Sequence, residues 1–203
     1  ALMNGLDFTL TARPAVLSME PEVSVGSEIQ ALALVGGALA VATKKGLVVY
    51  QANRQPEWLG EVSGPGNQEV TGLAPCGGNL CLSRHARHEG LAVVSLRDPS
   101  SPVVLGVAPL AGHGADVAVQ GATAYVAEGH HGVGVYDVSR PGQISLVQRL
   151  DPGEKIVSVA ARKGLVVAAS HQRDLYVYSL EGGTALLAHV RSDRKISRVR
   201  LLP

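Results

Sequence analysis

A single repeat runs through most of this 203-residue chain, and its period constrains the fold more than any other feature. A short apolar run recurs with its first apolar residue at positions 6, 47, 91, 133 and 175, spaced by 41, 44, 42 and 42 residues. Four copies open with glycine, and the fifth opens with Asp174. A second apolar run follows each copy and a third precedes it, both with nearly the same spacing. Three registers with one period indicate repeated copies of one supersecondary unit.

Each run is short, rich in leucine and β-branched residues, and bounded by turn residues, which predicts β-strands. A further strand fits at residues 38–42, 80–82, 124–127 and 165–169. Four strands in each repeat of this length are typical of a β-propeller blade. The sequence therefore predicts an all-β fold of five four-stranded blades, with strands A to D running from the inside of the ring outwards.

The predicted ring is a single domain over residues 1–203. Its blades are expected at about 28–68, 69–112, 113–154 and 155–194, and a fifth blade combines residues 195–203 with 1–27. In that blade the C-terminal inner strand joins the N-terminal outer strands, which removes an open sheet edge. Only residues 1–4 remain for its strand B, so that strand is stunted or is supplied by more chain, and completion by another chain would produce assembly by strand addition.

Composition excludes several classes of protein. An apolar fraction of 46% argues against disorder. A membrane-spanning helix needs about 18 uninterrupted apolar residues, and no stretch of this sequence approaches that length. The net charge is +1 and the aromatic residues are one Trp, five Tyr and one Phe. A nucleic-acid partner is not expected, because such proteins carry basic patches and stacking aromatics.

Cys76 and Cys81 flank the Gly-Gly-Asn turn of a predicted hairpin, which would place them opposite one another. Directly opposed residues of antiparallel strands lie within disulfide range, and a disulfide would indicate an oxidising compartment. Two reduced thiols that act as small apolar core residues are the alternative.

Six of the seven histidines fall in loops that the propeller places on one rim. Two kinds of loop form this rim, those that join strand B to strand C and those that join strand D to the next strand A. The candidates for a ligand face are His85, His88, His113, Asp116, Glu128, His130, His131 and His171. Imidazole binds Zn, Cu or Ni, so a divalent metal held by His113 and His131 with an acidic neighbour is one hypothesis. Loops that tolerate histidine without binding anything are the alternative, and no cofactor is the primary expectation.

The predicted inner strands are small and apolar, which argues against a propeller enzyme. Their charged residues are Asp116 and the C-terminal arginines, Arg198 and Arg200, which do not form a tuned acid–base pair. The chain also contains no Gly-x-Ser-x-Gly motif. Arg198 and Arg200 could form an anion pocket, pair with Asp116 or remain solvated.

Residues 124–141, which read AYVAEGHHGVGVYDVSRP, resemble the LVIVD repeat. Residues 90–102 are similar to its second half, with Ser95 where the family has Asp. This resemblance implies a β-propeller of the kind found in bacterial or archaeal surface or secreted proteins. It implies no assigned activity and no catalytic residues.

The expected function is a non-enzymatic binding scaffold outside the cytoplasm, which contacts a protein or glycan through one loop face. A propeller that binds a metal or small ligand through its histidine-rich rim is the alternative, and a hydrolase or lactonase is less favoured. The first residues show no signal-peptide pattern, so an extracellular location requires the chain to be a mature or excised piece.

Overall fold

The computed structural model describes residues 25–53, 56–62 and 69–201, which form four sheets of four antiparallel strands. Within each sheet the strands are ordered as in the chain, so neighbours are joined by hairpins. The first two sheets are β1 (Ile29–Val35), β2 (Ala38–Thr43), β3 (Gly46–Gln51), β4 (Trp58–Val62), β5 (Val70–Cys76), β6 (Asn79–Arg84), β7 (Leu91–Ser95) and β8 (Val103–Ala108). The other two are β9 (Asp116–Gln120), β10 (Thr123–Ala127), β11 (Val133–Asp137), β12 (Ser145–Leu150), β13 (Ile156–Arg162), β14 (Leu165–Ser170), β15 (Asp174–Ser179) and β16 (Ala185–Arg191). One 3₁₀ turn, Pro141–Gln143, lies between β11 and β12.

Tight turns join the two inner strands of each blade. Gly36 and Gly37 connect β1 to β2 with φ of 56° and 84°, and Gly77 and Gly78 connect β5 to β6 with φ of 54° and 80°. Two consecutive positive φ values suit the two-residue turns whose twist matches that of the flanking strands. The glycine pairs therefore fix the register of both hairpins.

The four blades pack face to face through three apolar clusters. Ala40 and Leu82 belong to the cluster between blades 1 and 2, and Val93 and Val126 to the cluster between blades 2 and 3. Val135 packs with the facing residues of blade 4 in the third cluster. All of these side chains are at most 2% exposed. Because successive blades pack through such faces, burial of valine, leucine and alanine contributes much of the cohesion between them.

The innermost strands β1, β5, β9 and β13 contact one another in chain order. This arrangement confirms an all-β fold of propeller type, with the strands of four blades where the repeat predicts them. The division into blade ranges within one domain stays a prediction. Within the described residues no helix is long and apolar enough to cross a membrane.

The prediction of five blades in a closed ring is corrected. The described residues form four blades and no closed ring, and residues 195–201, predicted as an inner strand, have no strand structure. The reason lies in the partners of this segment. Val199 N donates to Ser158 Oγ at 3.1 Å, and Arg200 pairs with Asp116. Side chains of blades 3 and 4 therefore hold the segment in place of the backbone hydrogen bonds of a neighbouring strand. The N-terminal strands of the predicted fifth blade lie at residues 1–24, outside the described residues.

The prediction that Cys76 and Cys81 oppose one another is also wrong. Cys76 pairs with Asn79 and Cys81 pairs with Ala74, because the turn consists of only Gly77 and Gly78. Both cysteines are buried free thiols in the structure. A hydrogen bond with Cys76 and burial raise the pKa of the Cys81 thiol.

Candidate functional site

Loops from blades 2, 3 and 4 enclose a cavity of about 340 Å³ on the rim predicted to bind ligands. We call it the four-histidine cavity. Its lining includes four of the predicted histidines, His85, His113, His130 and His131. The other residues that line it are Arg87, Gly112, Gly114, Ala115, Glu128, Gly129, Lys155, Ile156 and Val157. The volume is within the range of small-molecule sites.

A second cavity of about 340 Å³ adjoins the first, and we call it the Glu154 cavity. The two cavities share His130 and Lys155. The remaining residues that line the Glu154 cavity are Gly153, Glu154, His171 and Gln172. Together the two cavities form one recessed surface that extends from blade 2 to blade 4.

Backbone hydrogen bonds between loops hold this surface in place. Ile156 N donates to Gly129 O at 2.9 Å, which ties the loop before β11 to the first residue of blade 4. His171 N donates to Lys155 O at 2.7 Å, and Leu110 N donates to Arg87 O at 2.7 Å. These bonds satisfy loop backbone groups within the protein, so the cavity walls are preformed.

Gly112 is required by the close approach of two loops. A Cβ at this position would lie 2.2 Å from the carbonyl oxygen of Glu128 and 3.0 Å from His131 Cδ2. Both distances are shorter than ordinary van der Waals contact, so only glycine lets the loop before β9 pack against the loop that carries His131.

The exposed charges on the cavity walls are positive. Arg87 and Lys155 are both exposed, and neither forms an ion pair with any residue that the structure describes. The rings of His85 and His113 lie 4.3 Å apart between centroids, tilted by 40°. The cavity therefore combines two cationic groups with a pair of imidazole rings in contact, tilted against each other.

The carboxylate of Glu128, a predicted ligand-face residue, is held in a network of structural hydrogen bonds. It is fully buried, its Oε2 accepts hydrogen bonds from Arg149 at 2.6 Å and from Ala111 N at 2.9 Å, and its Oε1 accepts from Tyr136 Oη at 2.7 Å. Burial, with the hydrogen bond to Glu128 as a lesser cause, raises the pKa of Tyr136. The negative charge of Glu128 is balanced by Arg149 and does not offset the cationic groups of the cavity.

Asp116, another predicted candidate, connects two blades. It is 2% exposed, and its Oδ2 accepts hydrogen bonds from Ser158 Oγ at 2.6 Å and from Val159 N at 3.3 Å. Arg200 Nη1 lies 3.5 Å from the same oxygen. These contacts fasten β13 and the C-terminal segment to β9. Of the three arrangements expected for the C-terminal arginines, Arg200 adopts the pairing with Asp116. Arg198 is exposed, and its side chain has no hydrogen-bond or ion-pair partner in the described part of the chain.

Glu154 carries an unsatisfied acceptor. Its Oε2 is buried and has no hydrogen-bond partner. A buried carboxylate oxygen without a donor is costly, and such groups in native proteins usually have a structural or functional reason. The residue lines the Glu154 cavity, but this oxygen is itself buried from solvent.

The histidines do not converge as a metal centre would require. Within residues 25–53, 56–62 and 69–201, no three His, Cys, Asp or Glu side chains are grouped so that they could hold a metal ion. His113 and His131 line the same cavity, His171 lines the adjoining one, and His88 is exposed outside both. A zinc or other divalent metal at His113 and His131 stays an untested prediction.

Sequence reasoning missed Arg87, Lys155 and Glu154. Arg87 lies between two of the predicted histidines, and Lys155 follows His113 by 42 residues, one period of the repeat. The repeat therefore contained the signal for Lys155, whereas nothing in the sequence shows that one oxygen of Glu154 is buried without a donor.

Four face-packed sheets of four antiparallel strands define a protein of β-propeller architecture. Residues 111–151 match the family model of the LVIVD repeat, which confirms the resemblance seen in the sequence. No curated protein matches the chain.

Solved structures with the same architecture are distant in sequence. The β-propeller domain of Cps50 (Swd1) from Myceliophteria thermophila has 13% identity and a TM-score of 0.71, covering 88% of this chain and 64% of that one. The computationally designed Ika8 protein has 14% identity and a TM-score of 0.68 over 87% of this chain and 53% of its own, so this chain spans about half its length. The designed Ika4 protein has 16% identity and a TM-score of 0.64 over 77% of this chain and 93% of its own. At these identities the likeness shows the fold alone.

Proposed function

We propose that this protein is a non-enzymatic binding scaffold, which holds a protein or glycan ligand on the loop face formed by the two adjoining cavities. The observation that carries the proposal is the four-histidine cavity, where four exposed histidines, Arg87 and Lys155 from three blades meet on a preformed surface. Propellers commonly hold ligands where the loops of several blades converge, because the packed sheets below keep those loops rigid.

The proposal is of a protein without catalytic activity. In its support, the carboxylates of Glu128 and Asp116 are held by hydrogen bonds from protein groups, so neither is free to act as a general base. A location on the cell surface or outside the cell is part of the proposal, and it rests on the LVIVD resemblance.

Binding of a panel of acidic and neutral peptides, oligosaccharides and small anions to the immobilised protein tests this function. The loop-face variant Arg87→Gln/Lys155→Gln is compared with Arg140→Gln/Lys163→Gln, a matched pair of exposed cations at the opposite end of the blades. We expect at least one probe whose binding the first pair abolishes and the second leaves unchanged. Absence of any binding, or equal loss in both variants, would contradict the proposal.

A second candidate function is assembly through apolar side chains that are exposed on the two terminal blades. Leu32 and Leu34 on β1 are 58% and 66% exposed, whereas Leu73, at the position of Leu32 one repeat later, is only 8% exposed. On the other terminal blade Val167, Leu175 and Val177 are only half-buried. Equivalent positions between internal blades, such as Val93 and Val135, are at most 2% exposed.

The proposed occupant of these faces is a second copy of the chain. The outer face of blade 4 would pack on the outer face of blade 1 of the other copy, which continues the contact that already joins blades 1 to 2, 2 to 3 and 3 to 4. Head-to-tail contacts of this kind form a closed ring of two copies when the rotation between successive blades brings the second copy back to the first. Trp58, 59% exposed on the outer strand of blade 1, adds an aromatic group to this surface.

A further inference from the structure

We propose that a second copy of this chain places its Pro56 on the outer strand of blade 4, at Ala188 of β16. This inference rests on the assembly of two copies proposed above, because it names a further contact of the same pair of blades. It is carried by a contact that recurs inside the chain. In this contact, which we call the outer-strand contact, the segment before the outer strand of one blade packs on the outer strand of the preceding blade.

The outer-strand contact between blades 1 and 2 is formed at Gly60 of β4. A Cβ added to Gly60 would lie 2.8 Å from the carbonyl oxygen of Ser100 and 2.9 Å from Cδ of Pro102. Both distances are shorter than van der Waals contact, and glycine inside a strand often marks such a close approach of another segment. The segment that precedes β8 therefore lies directly on the outer strand of blade 1.

The same contact joins the next two pairs of blades. A Cβ added to Gly106 of β8 would overlap the carbonyl group of Pro141 in blade 3. Between blades 3 and 4, Thr184 Oγ1 donates to Gln148 Oε1 of β12 at 2.7 Å. Each of the three internal pairs of blades thus has an outer-strand contact in addition to its packed faces.

Ala188 occupies the position that receives this contact in the earlier blades. Strand pairing places Gly60 opposite Val49, Gly106 opposite Val93, Gln148 opposite Val135 and Ala188 opposite Val177. Alanine is the smallest side chain after glycine, so a neighbouring segment can approach β16 closely here. Blade 4 is the last blade that the structure describes, so no described blade follows it to form this contact.

Pro56 occupies the position of Pro102, which makes the contact in blade 2. Each proline lies two residues before a paired residue of its outer strand, Trp58 opposite Tyr50 and Val104 opposite Val94. Blade 1 is the first described blade, so within the described ranges no outer strand of a preceding blade lies against Pro56. The two halves of one outer-strand contact are therefore available at opposite ends of the row of blades.

A single arrangement of two copies forms the face contact and the outer-strand contact together. Blades 1 and 2 are joined by both contacts at once, and so are blades 2 and 3. If blade 1 of the second copy follows blade 4 with the same rotation, its Pro56 reaches Ala188 as its face covers blade 4. Leu187 and Trp58, which are 58% and 59% exposed, lie close in sequence to the two contact residues, and their partial burial would stabilise the contact.

Disulfide cross-linking between two variants, Pro56→Cys and Ala188→Cys, tests this contact. The variants are mixed, oxidised and separated by size without reducing agent. We expect a product of twice the chain mass of 21.0 kDa in the mixture, which reducing agent removes. Neither variant alone should give this product, because Cys76 and Cys81 are buried. The matched control mixes Ala188→Cys with Val103→Cys, an exposed site on an internal blade, and should give none.

Light scattering of the wild type separates failure of this contact from failure of the assembly. A two-copy mass without the cross-link would overturn the contact at Ala188 and leave the assembly standing, whereas a single-chain mass without the cross-link would remove both. An equal yield in the control mixture would also overturn the contact, because it would reflect random collisions. A cross-link within one chain of the double variant Pro56→Cys/Ala188→Cys would show that blade 4 meets blade 1 of the same chain, which overturns the second copy.

Discussion

Tyr136 Oη lies 2.7 Å from Glu128 Oε1 and donates the hydrogen bond that this oxygen receives from the described residues. Arg149 and Ala111 N both bind the other oxygen, Oε2. The phenol of β11 therefore completes the buried network under the histidine loop. The same network explains Gly134, because a Cβ there would lie 2.0 Å from Oε1.

Tyr136→Phe should lower the free energy of unfolding by about 1–3 kcal/mol, the usual cost of leaving a buried acceptor unsatisfied. Urea unfolding followed by circular dichroism measures the change. The matched control is Tyr178→Phe, since Tyr178 is equally buried and has no side-chain hydrogen bond in the described part of the chain. Equal losses in the two variants would show that the hydroxyl of Tyr136 contributes nothing specific.

The repeat predicted the strands well because both the spacing and the alternation of apolar residues are local properties of the sequence. It placed Leu59, Val117 and Val159 on the strands where they are found. It failed at residues 195–201. Their alternation of valine and arginine is compatible with a strand, but it is equally compatible with an irregular segment held by Ser158 and Asp116. That choice depends on contacts more than 40 residues away, which no local pattern contains.

The candidate site was predicted in its position but only in part in its chemistry. The blade topology brought four histidines to one cavity, as expected from their loops. Glu128 and Asp116 were expected to be available, but the partners that bury them, Tyr136 and Ser158, come from strands whose side-chain directions follow only from three-dimensional packing.

Ser158→Ala should loosen the C-terminal segment. Ser158 Oγ donates to Asp116 Oδ2 and accepts from Val199 N, so its removal takes away one of the hydrogen bonds between blades 3 and 4 and frees the backbone of Val199. We expect a loss of about 1–2 kcal/mol in unfolding free energy and faster amide exchange across residues 196–201. Hydrogen–deuterium exchange measures the second effect. Ser139→Ala, an exposed serine at the opposite end of blade 3, should change neither quantity.

Gly112→Ala should disturb the loop that carries His131. The new methyl group would come within 2.2 Å of the carbonyl oxygen of Glu128, and the loops can relieve this contact only by moving apart. Overpacking of this kind costs about 1–3 kcal/mol, and displaced loops should also weaken any ligand of the four-histidine cavity. Gly142→Ala is the control, because its nearest neighbour is 4.0 Å from the added Cβ. Thermal unfolding of both variants checks the prediction, and an unchanged unfolding midpoint in Gly112→Ala would contradict it.

Leu34→Glu should dissociate the proposed assembly of two copies. A charge on the exposed face of β1 cannot be buried against the outer face of blade 4 without a large desolvation cost. Light scattering after size exclusion should give about twice the chain mass of 21.0 kDa for the wild type and the single chain mass for the variant. Val103→Glu, at an exposed site on an internal blade, should leave the larger mass intact. A wild type that is monomeric at all concentrations would rule out a second copy as the occupant of these faces. Another part of the chain would then be the candidate occupant.

The two cysteines should react slowly with thiol reagents in the folded protein and rapidly after unfolding. The hydrogen bond with Cys76 and burial raise the pKa of Cys81, so at pH 8 its sulfur is held as the thiol, while thiolate is the reactive form. Ellman's reagent should therefore react slowly with native protein and release two equivalents in urea, one for each free cysteine. Raising the pH to 9.5 should accelerate the native reaction little, because both thiols are buried and the pKa of Cys81 is raised. No reaction in urea would show instead that the pair is oxidised, which would require the hairpin between β5 and β6 to shift from the register in which Cys81 faces Ala74, and would support an oxidising compartment.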